Sequence, residues 1–168
     1  MFLCQVVWGH KDEAECPDSG HIEMKTLDEL ENFFYQFKKE HQEEKATIVE
    51  VILPSGKRMA IALGRQESFL CYCSKPFCSY PGEPEFFQPR IYYESLGNHD
   101  NESQEIIEFW DGCRYNEYKK YGIIPEDMAR YAIRYFVQTG GKLTQKVTWK
   151  KYDKEKTDHF EDGEDEPF

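Results

Sequence analysis

The sequence predicts an α+β fold, in which two main helices pack on an antiparallel sheet of about six or seven strands. Two segments have the apolar periodicity of amphipathic helices, and each needs another layer against which to bury its apolar face. Other segments alternate as strands do, and short turns containing Gly or Pro separate several of them. Strands joined by tight turns pair antiparallel, so a sheet is the natural partner of both helices.

The first elements are a strand and a capped helix. Phe2 to Trp8 is apolar and predicts a strand, whereas Gly9 to His21 is polar and contains Gly and Pro, which predicts a connection. Thr26 and Glu29 have the spacing of a capping box, in which each side chain satisfies a free amide at the helix start. The helix is expected to continue to about Glu40. Its apolar face consists of Leu27, Leu30, Phe33, Phe34 and Phe37.

Three successive strands follow, and they predict a meander. Ala46 to Leu53 and Arg58 to Leu63 flank the turn Pro54–Lys57, where Pro and Gly occupy suitable turn positions. Ser68 to Cys73 predicts the third strand. Ser74 to Pro89 contains four prolines, which exclude an interior strand, so we expect a surface loop there.

The segment after this loop predicts a second hairpin. Arg90 to Leu96 and Gln104 to Trp110 both have strand character, and the polar turn Gly97–Asn101 lies between them. The second of these strands is therefore expected to return along the first. Cys113 to Tyr121 lacks a clear period and is expected to be a loop that leads to the last helix.

The last elements are a helix and a strand. Pro125 suits the first helical turn, where a missing N–H is no loss, and the two acids after it favour the positive end of the helix dipole. Gly140 and its glycine neighbour can end the helix, and Lys146 to Trp149 then alternates like a strand. The apolar stripe of this helix consists of Met128, Ala129, Ala132, Ile133, Phe136 and Val137.

Length and composition fit one domain followed by a charged tail. The chain has 168 residues, enough to bury a sizeable core, and 15% of them are aromatic. We assign residues 1–152 to a single α+β domain. Residues 153–168 are rich in Asp, Glu and Lys and nearly lack aliphatic side chains, so we expect a disordered acidic tail.

The charge of the chain limits its partners. The formal net charge is −11 at pH 7, which disfavours direct binding of nucleic acid, because phosphate contacts need clustered Lys and Arg. The same charge favours a basic partner through long-range steering, although solubility alone would also explain it. The sequence shows no secretory signal and no apolar run of the roughly 20 residues that span a membrane. We therefore expect a cytoplasmic protein that does not enter membranes.

One pattern near the C-terminus combines a helix carrying Ala129, Ala132 and Phe136, the pair Thr139-Gly140, and a strand ending in Val147-x-Trp149. This pattern resembles the C-terminal signature of a bacterial immunity-protein family, immunity protein family one, which partners deaminase toxins of polymorphic toxin systems. Three other segments also resemble this family: Ile61-Ala62-Leu63-Gly64, Phe69-Leu70-x-Tyr72 and Tyr92-Tyr93-x-Ser95-Leu96-Gly97. The chain departs from the family at the Cys- and Pro-rich insertion and at the acidic tail.

The resemblance implies an immunity protein that binds a cognate toxin domain and neutralises it, without enzymatic activity or a cofactor of its own. A toxin of the nucleic-acid deaminase class must admit a base to a zinc-activated water through a positively charged groove. An acidic protein can block such a groove by occlusion alone. The five histidines lie in no nucleophile or H-E-x-x-H motif and the chain has no Walker loop, so we do not expect an enzyme.

Acids and aromatic side chains cluster around the predicted second hairpin. Aromatic anchors surrounded by acids suit a basic groove, because the anchors supply affinity and the charges supply rate and register. The alternative is a solvated hairpin with Trp110 turned into the core, and for this tryptophan we favour the core. The residues predicted to bind the toxin are Asp100, Glu102, Glu105, Glu108, Asp111 and Tyr115.

Four cysteines offer an alternative function, a small metal-binding or ligand-binding domain. Zinc prefers four tetrahedral N or S ligands, and clustered thiolates can form half of such a site. The spacing of Cys71, Cys73 and Cys78 is not that of a standard zinc knuckle, and no second paired half accompanies Cys113. We favour reduced cysteines in a core and a loop, in a reducing compartment, and we expect no metal.

Overall fold

The computed structural model describes residues 1–9, 19–74, 91–97, 105–111 and 115–152. Within these ranges the chain has two α-helices and a large, mostly antiparallel sheet, so the predicted α+β class is confirmed. The predicted acidic tail at residues 153–168 and nearly all of the predicted loop at residues 74–89 lie outside the described residues.

The elements are named in chain order. The strands are β1 (Cys4–Trp8), β2 (Gly20–Met24), β3 (Thr47–Ile52), β4 (Arg58–Leu63), β5 (Glu67–Ser68), β6 (Leu70–Cys73), β7 (Tyr92–Leu96), β8 (Ile106–Trp110), β9 (Tyr115–Lys119), β10 (Ile124–Pro125) and β11 (Thr148–Tyr152). The helices are α1 (Leu27–Glu40) and α2 (Glu126–Gln138), and one-turn 3₁₀ helices lie at Glu43–Lys45 and Lys120–Gly122.

Seven strands form the continuous path of the sheet, in the spatial order β2-β1-β3-β4-β6-β7-β11, and each neighbouring pair is antiparallel. The predicted meander of β3, β4 and β6 is confirmed. Gly64 follows β4 at a φ of +123°, and a Cβ at this position would collide with the main-chain carbonyl of His41. Glycine is needed there because the sheet and the end of α1 approach each other so closely.

Two strands and one pairing differ from the prediction. The segment Gly9–His21, predicted as a connection, ends in the first residues of β2, which pairs along β1. The segment Cys113–Tyr121, predicted as a loop, contains β9. The predicted pairing of β7 with β8 is wrong, because β7 finds hydrogen-bonding partners on both sides in β6 and β11. This leaves β8 to pair with β9, and the sheet has nine strands within the described residues.

Both helices lie on one face of the sheet and bury their predicted apolar stripes. The predicted capping box forms at α1, where Thr26 Oγ1 accepts from the Glu29 amide at 3.1 Å and Glu29 Oε2 accepts from the Lys25 amide at 2.6 Å. Pro125 is the N-cap of α2 and does not occupy the first turn as predicted, because its extended backbone pairs with Glu67. The core between helices and sheet includes Val6, Leu30, Phe34, Val49, Val51, Met59, Ile61, Leu63, Leu70, Ile133 and Phe136.

The first residue of α2 connects both helices to the sheet. The Glu126 side chain is only 4% exposed. Its Oε1 accepts from Lys38 Nζ of α1 at 3.0 Å and lies 3.3 Å from Arg130 Nε. Its Oε2 accepts from the Gly64 amide at 3.2 Å. The fold tolerates this buried carboxylate because two cations and an amide compensate its lost hydration.

We expect Glu126→Ala to lower the free energy of unfolding by about 2 kcal/mol, because the Gly64 amide loses its acceptor and two cations lose their shared partner. The loss stays below that of a fully buried ion pair, since the side chains of Lys38 and Arg130 are 39% and 40% exposed and regain water. Urea unfolding measures the change. Asp127→Ala, in the same helical turn, is the matched control with an expected loss below about 1 kcal/mol. Equal losses in both variants would contradict the role of the buried carboxylate.

The β8–β9 hairpin covers part of the opposite face of the sheet. Trp110 N donates to Ala46 O at 3.0 Å, and Trp110 pairs with Thr47 in a parallel bridge that joins the hairpin to β3. A smaller core fills the space beneath the hairpin. It consists of buried Ala46, Ala62, Phe69, Phe109 and Ile123, with Ile48, Ala60, Cys71, Ile107 and Tyr118 packed around them. The described chain therefore has three layers, namely helices, sheet and hairpin.

Candidate functional site

The β8–β9 hairpin has an inner and an outer face, because side chains alternate along both strands. Ile107, Phe109 and Tyr118 point inward and belong to the smaller core. The side chains on the opposite side form what we name the outer hairpin face. These residues are Ile106, Glu108, Trp110, Tyr115, Glu117 and Lys119.

Two glutamates of the outer hairpin face lie directly opposite each other. Glu108 and Glu117 are cross-strand partners, and residues in this relation have Cβ atoms about 5 Å apart. Both side chains are exposed, and neither forms a salt bridge within the ranges that the structure describes. Like charges in this position destabilise a hairpin by up to about 1 kcal/mol. The arrangement suits a positively charged group of a partner placed between the two carboxylates.

Apolar and aromatic side chains flank these glutamates. Trp110 and Tyr115 are cross-strand partners in edge-to-face contact, with ring centroids 5.0 Å apart. Tyr115 is 49% exposed, and Ile106 at the other end of the face is 44% exposed. The Tyr115 hydroxyl donates to Glu44 O at 3.2 Å, which restrains the ring. Trp110 does not occupy the core position expected for it and is half-buried. Side chains alternate along the strand, so its neighbour Phe109 points to the opposite face and fills the core.

The structure describes four of the six predicted toxin-binding residues. Glu105, Glu108, Asp111 and Tyr115 lie on the hairpin or at its ends, whereas Asp100 and Glu102 lie outside the described residues. Glu105 Oε2 accepts from Lys120 Nζ at 2.8 Å, and Asp111 Oδ2 accepts from Asn116 Nδ2 at 2.7 Å. These two carboxylates therefore already have partners. Among the predicted acids that the structure describes, Glu108 is the one that faces solvent without a hydrogen-bond or salt-bridge partner.

Sequence reasoning missed Ile106 and Glu117 as members of this surface. Glu117 lies in a segment predicted as a loop, and Ile106 has neither a charge nor a ring. The available signal was the pair Tyr115 and Tyr118, since tyrosine favours strands. That signal is weak because the intervening residues are polar.

A cavity of about 270 Å³ lies beside β9, between the hairpin and the main sheet. Cys71 on β6, Glu94 on β7 and Lys150 on β11 are in register across its floor. Burial raises the pKa of Glu94, and the nearby Lys150 offsets this only in part. Burial, followed by the charges of Glu94 and Glu50, also raises the pKa of Cys71, which is therefore a neutral thiol at pH 7. Burial likewise raises the pKa of Tyr118.

The raised pKa of Glu94 predicts a pH-dependent stability. The carboxyl ionises at its ordinary value of 4.5 in the unfolded chain, but it keeps its proton to a higher pH in the folded protein. Its contribution to stability is therefore complete below pH 4.5 and is lost as the pH rises through the raised pKa. We expect Glu94→Gln to be at least as stable as the wild type at neutral pH and to lack this loss. Thermal unfolding across this pH range measures both.

The matched control for this prediction is Glu50→Gln on the same face of the sheet. Glu50 Oε2 accepts from Arg58 Nη1 at 2.9 Å, so this variant should lose stability. A Glu94→Gln variant that loses as much stability at neutral pH would show that the Glu94 carboxylate has a favourable partner in the folded protein.

Cys4 and Cys71 form no disulfide within the described residues, and burial raises the pKa of Cys4 to about 11. Metal ligation needs the thiolate, which such a pKa disfavours. Within the described residues, no group of three or more His, Cys, Asp or Glu side chains is arranged to hold a metal ion. Cys78 and Cys113, the other members of the alternative zinc set, lie outside those residues.

The fold and this surface define a class of protein, an α+β protein whose outer hairpin face combines opposed acids with exposed aromatic and apolar side chains. Neither described helix is long and apolar enough to cross a membrane. The sequence matches no model of a known protein family, and it matches no curated protein.

Proposed function

We propose that the protein is an immunity protein that binds a cognate toxin domain, a nucleic-acid deaminase, and neutralises it by occluding its basic substrate groove. The observation that supports this proposal is the pair of opposed glutamates on the outer hairpin face, Glu108 and Glu117. The resemblance of the last helix and strand to an immunity-protein family supplies the class of the partner. In this proposal the protein performs no chemistry itself and acts in the cytoplasm.

The opposed carboxylates suit a basic groove. In the free protein they repel each other across the hairpin, and a Lys or Arg side chain of the partner would replace this repulsion with two attractions. Part of the binding free energy would then come from relief of a repulsion in the free protein. The net charge of −11 acts at longer range and speeds the approach of a positively charged domain, most strongly at low salt.

The flanking side chains supply apolar contact area. Trp and Tyr are enriched among the residues that contribute most to binding at protein interfaces. Trp110 and Tyr115 restrain each other through their edge-to-face contact, so little side-chain entropy is lost when a partner packs on them. Ile106 adds an exposed apolar group at the other end of the face. The charges between these groups orient the partner.

Occlusion needs a surface that stands above the rest of the fold, and the hairpin is a separate layer on the sheet. A stable complex buries about 1,600 Å² of surface in total. The hairpin has two strands of five residues each, which supply only part of that area. We expect neighbouring segments to supply the remainder, including the 3₁₀ helix Glu43–Lys45, whose Glu44 carbonyl accepts from Tyr115.

Co-expression with a toxin domain encoded by the neighbouring gene tests this proposal. Cells that make the toxin domain are expected to survive when the protein is present and to die when it is absent. The purified protein is expected to form a stable complex with the toxin domain and to inhibit deamination in competition with single-stranded substrate. A toxin domain without its catalytic zinc ligands is the control. Equal killing with and without the protein would overturn the proposal, and inhibition that substrate cannot compete with would overturn occlusion.

A further inference from the structure

The cavity beside β9 has a chemical character of its own. Its volume of about 270 Å³ is below the range of sites for drug-sized ligands and suits a single side chain. The residues that determine its chemistry are Cys71, Glu94, Glu117, Tyr118, Tyr121 and Lys150. Lys119 also lines the cavity. The lining thus combines two acidic and two basic residues with aromatic rings in a small space.

The Glu94 carboxylate is the central group of this cavity. It is partly buried, and within the described ranges it forms neither a salt bridge nor a hydrogen bond. Lys150 is its cross-strand partner, but the Lys150 ammonium lies over the Tyr121 ring, 5.2 Å from the ring centroid. Burial of a carboxylate without a hydrogen-bond donor is costly, and such groups are concentrated at binding sites. Glu94 is therefore placed to receive a donor from another molecule.

We infer that this cavity receives the guanidinium group of an arginine side chain from the protein partner. Glu94 offers carboxylate oxygens, and a guanidinium carries five N–H donors in a fixed plane. A guanidinium is flat and weakly hydrated, so it leaves water and contacts tyrosine rings more readily than an ammonium does. The tyrosines of the lining, Tyr118 and Tyr121, provide such rings.

This inference rests on the proposed function for the source of the arginine. Glu117 belongs both to the outer hairpin face and to the lining of the cavity. A basic partner bound on that face therefore has cationic side chains beside the cavity. An arginine that entered it would pair with Glu94. The chemistry of the cavity is testable without the partner, because a capped arginine carries the same group.

Titration of isotope-labelled protein with N-acetyl-L-arginine N-methylamide, followed by NMR, tests this inference. We expect saturable shifts of the backbone amides of Glu94, Tyr118 and Gly122. The corresponding citrulline compound has nearly the same shape without the charge and should give no saturable shifts. Glu94→Gln should weaken binding of the capped arginine by about tenfold or more, because it removes the charge from the central acceptor.

Glu23→Gln is the matched control, because it removes an exposed carboxylate on β2, outside the cavity lining, and it should bind the capped arginine as the wild type does. Thermal unfolding verifies that Glu94→Gln is folded. Equal binding by Glu94→Gln, or equal binding of the citrulline compound, would overturn the inference. Tighter binding of free L-arginine than of the capped form would also overturn it, since the ligand would then be a small molecule. Toxin neutralisation without arginine binding contradicts this inference alone, whereas arginine binding without neutralisation contradicts the proposed function.

Discussion

Replacing Phe109 with alanine is expected to lower the free energy of unfolding by about 4 kcal/mol, as is typical of a fully buried phenylalanine. Phe109 is 0% exposed. Its ring centroid lies 5.5 Å from that of Phe69 and 6.0 Å from that of Tyr118, and the Arg65 guanidinium lies over the same ring at 5.4 Å. Alanine would leave a void at the centre of the smaller core, directly beneath the hairpin, and the contacts on all these sides would be lost together.

Ile106→Ala is the matched control for this prediction. Ile106 lies on the same strand but faces outward and is 44% exposed, so its loss should cost less than about 1 kcal/mol. Urea unfolding gives the global change, and hydrogen exchange locates it. The amides of β8 and β9 should lose more protection in Phe109→Ala than those of β3 and β4. Equal costs for the two variants would show that the smaller core does not hold the hairpin in place.

The smaller core matters to the proposed function because it fixes the orientation of the outer hairpin face. Within the described residues, the ladder connection between hairpin and main sheet is a single bridge, Thr47 to Trp110. This bridge and the hydrogen bond from the Tyr115 hydroxyl to the Glu44 carbonyl restrain one end of the hairpin, and the packing of Phe109 in the smaller core restrains its middle. A hairpin that moved freely would have to be ordered on binding, and that entropic cost would weaken the complex.

Elements with local signals could be predicted from the sequence. The first helix has a capping box and an apolar stripe, and the second has a stripe that ends before Gly140. Both helices form where these signals place them. The meander of β3, β4 and β6 also follows from local signals, because the turns at Pro54–Lys57 and Gly64 bring consecutive strands together.

Elements that depend on distant partners could not be predicted. β7 pairs with β6 and β11, and nothing within Tyr92–Leu96 specifies these neighbours over β8. β2 is an edge strand in which His21 and Glu23 flank exposed Ile22, so its alternation carries little apolar signal. β9 is mostly polar, and its strand character comes from pairing with β8.

In the candidate site, too, local features could be predicted from the sequence and features that depend on strand pairing could not. The acids of the hairpin could be predicted as a cluster because they are close in sequence. Their pairing could not, since Glu105 is engaged by Lys120 only because the two strands bring them together. The opposition of Glu108 and Glu117 depends on the register of the hairpin. A shift of β9 by one residue along β8 would turn Glu117 to the inner face and away from Glu108, so register decides whether this surface exists.

Glu117→Lys is expected to stabilise the free protein and to weaken its complex with the toxin domain. Opposite Glu108, a lysine would form a cross-strand ion pair in place of a repulsion, which should raise the free energy of unfolding by about 0.5 kcal/mol. The same change places a cation where a basic side chain of the partner is proposed to lie. We therefore expect the affinity to fall by at least about tenfold, with slower association at low salt. Urea unfolding and binding kinetics on one preparation measure both effects.

Two further variants separate this effect from a general change of charge. Glu23→Lys changes the net charge equally at an exposed position on β2, and it should leave the affinity within about twofold of the wild type. The double variant Glu108→Lys/Glu117→Lys again sets like charges opposite each other, so the gain in stability should disappear while the loss of affinity deepens. A Glu117→Lys protein that is more stable and still neutralises the toxin with wild-type affinity would contradict the proposal. The repulsion between the two glutamates would then weaken the fold without serving any partner.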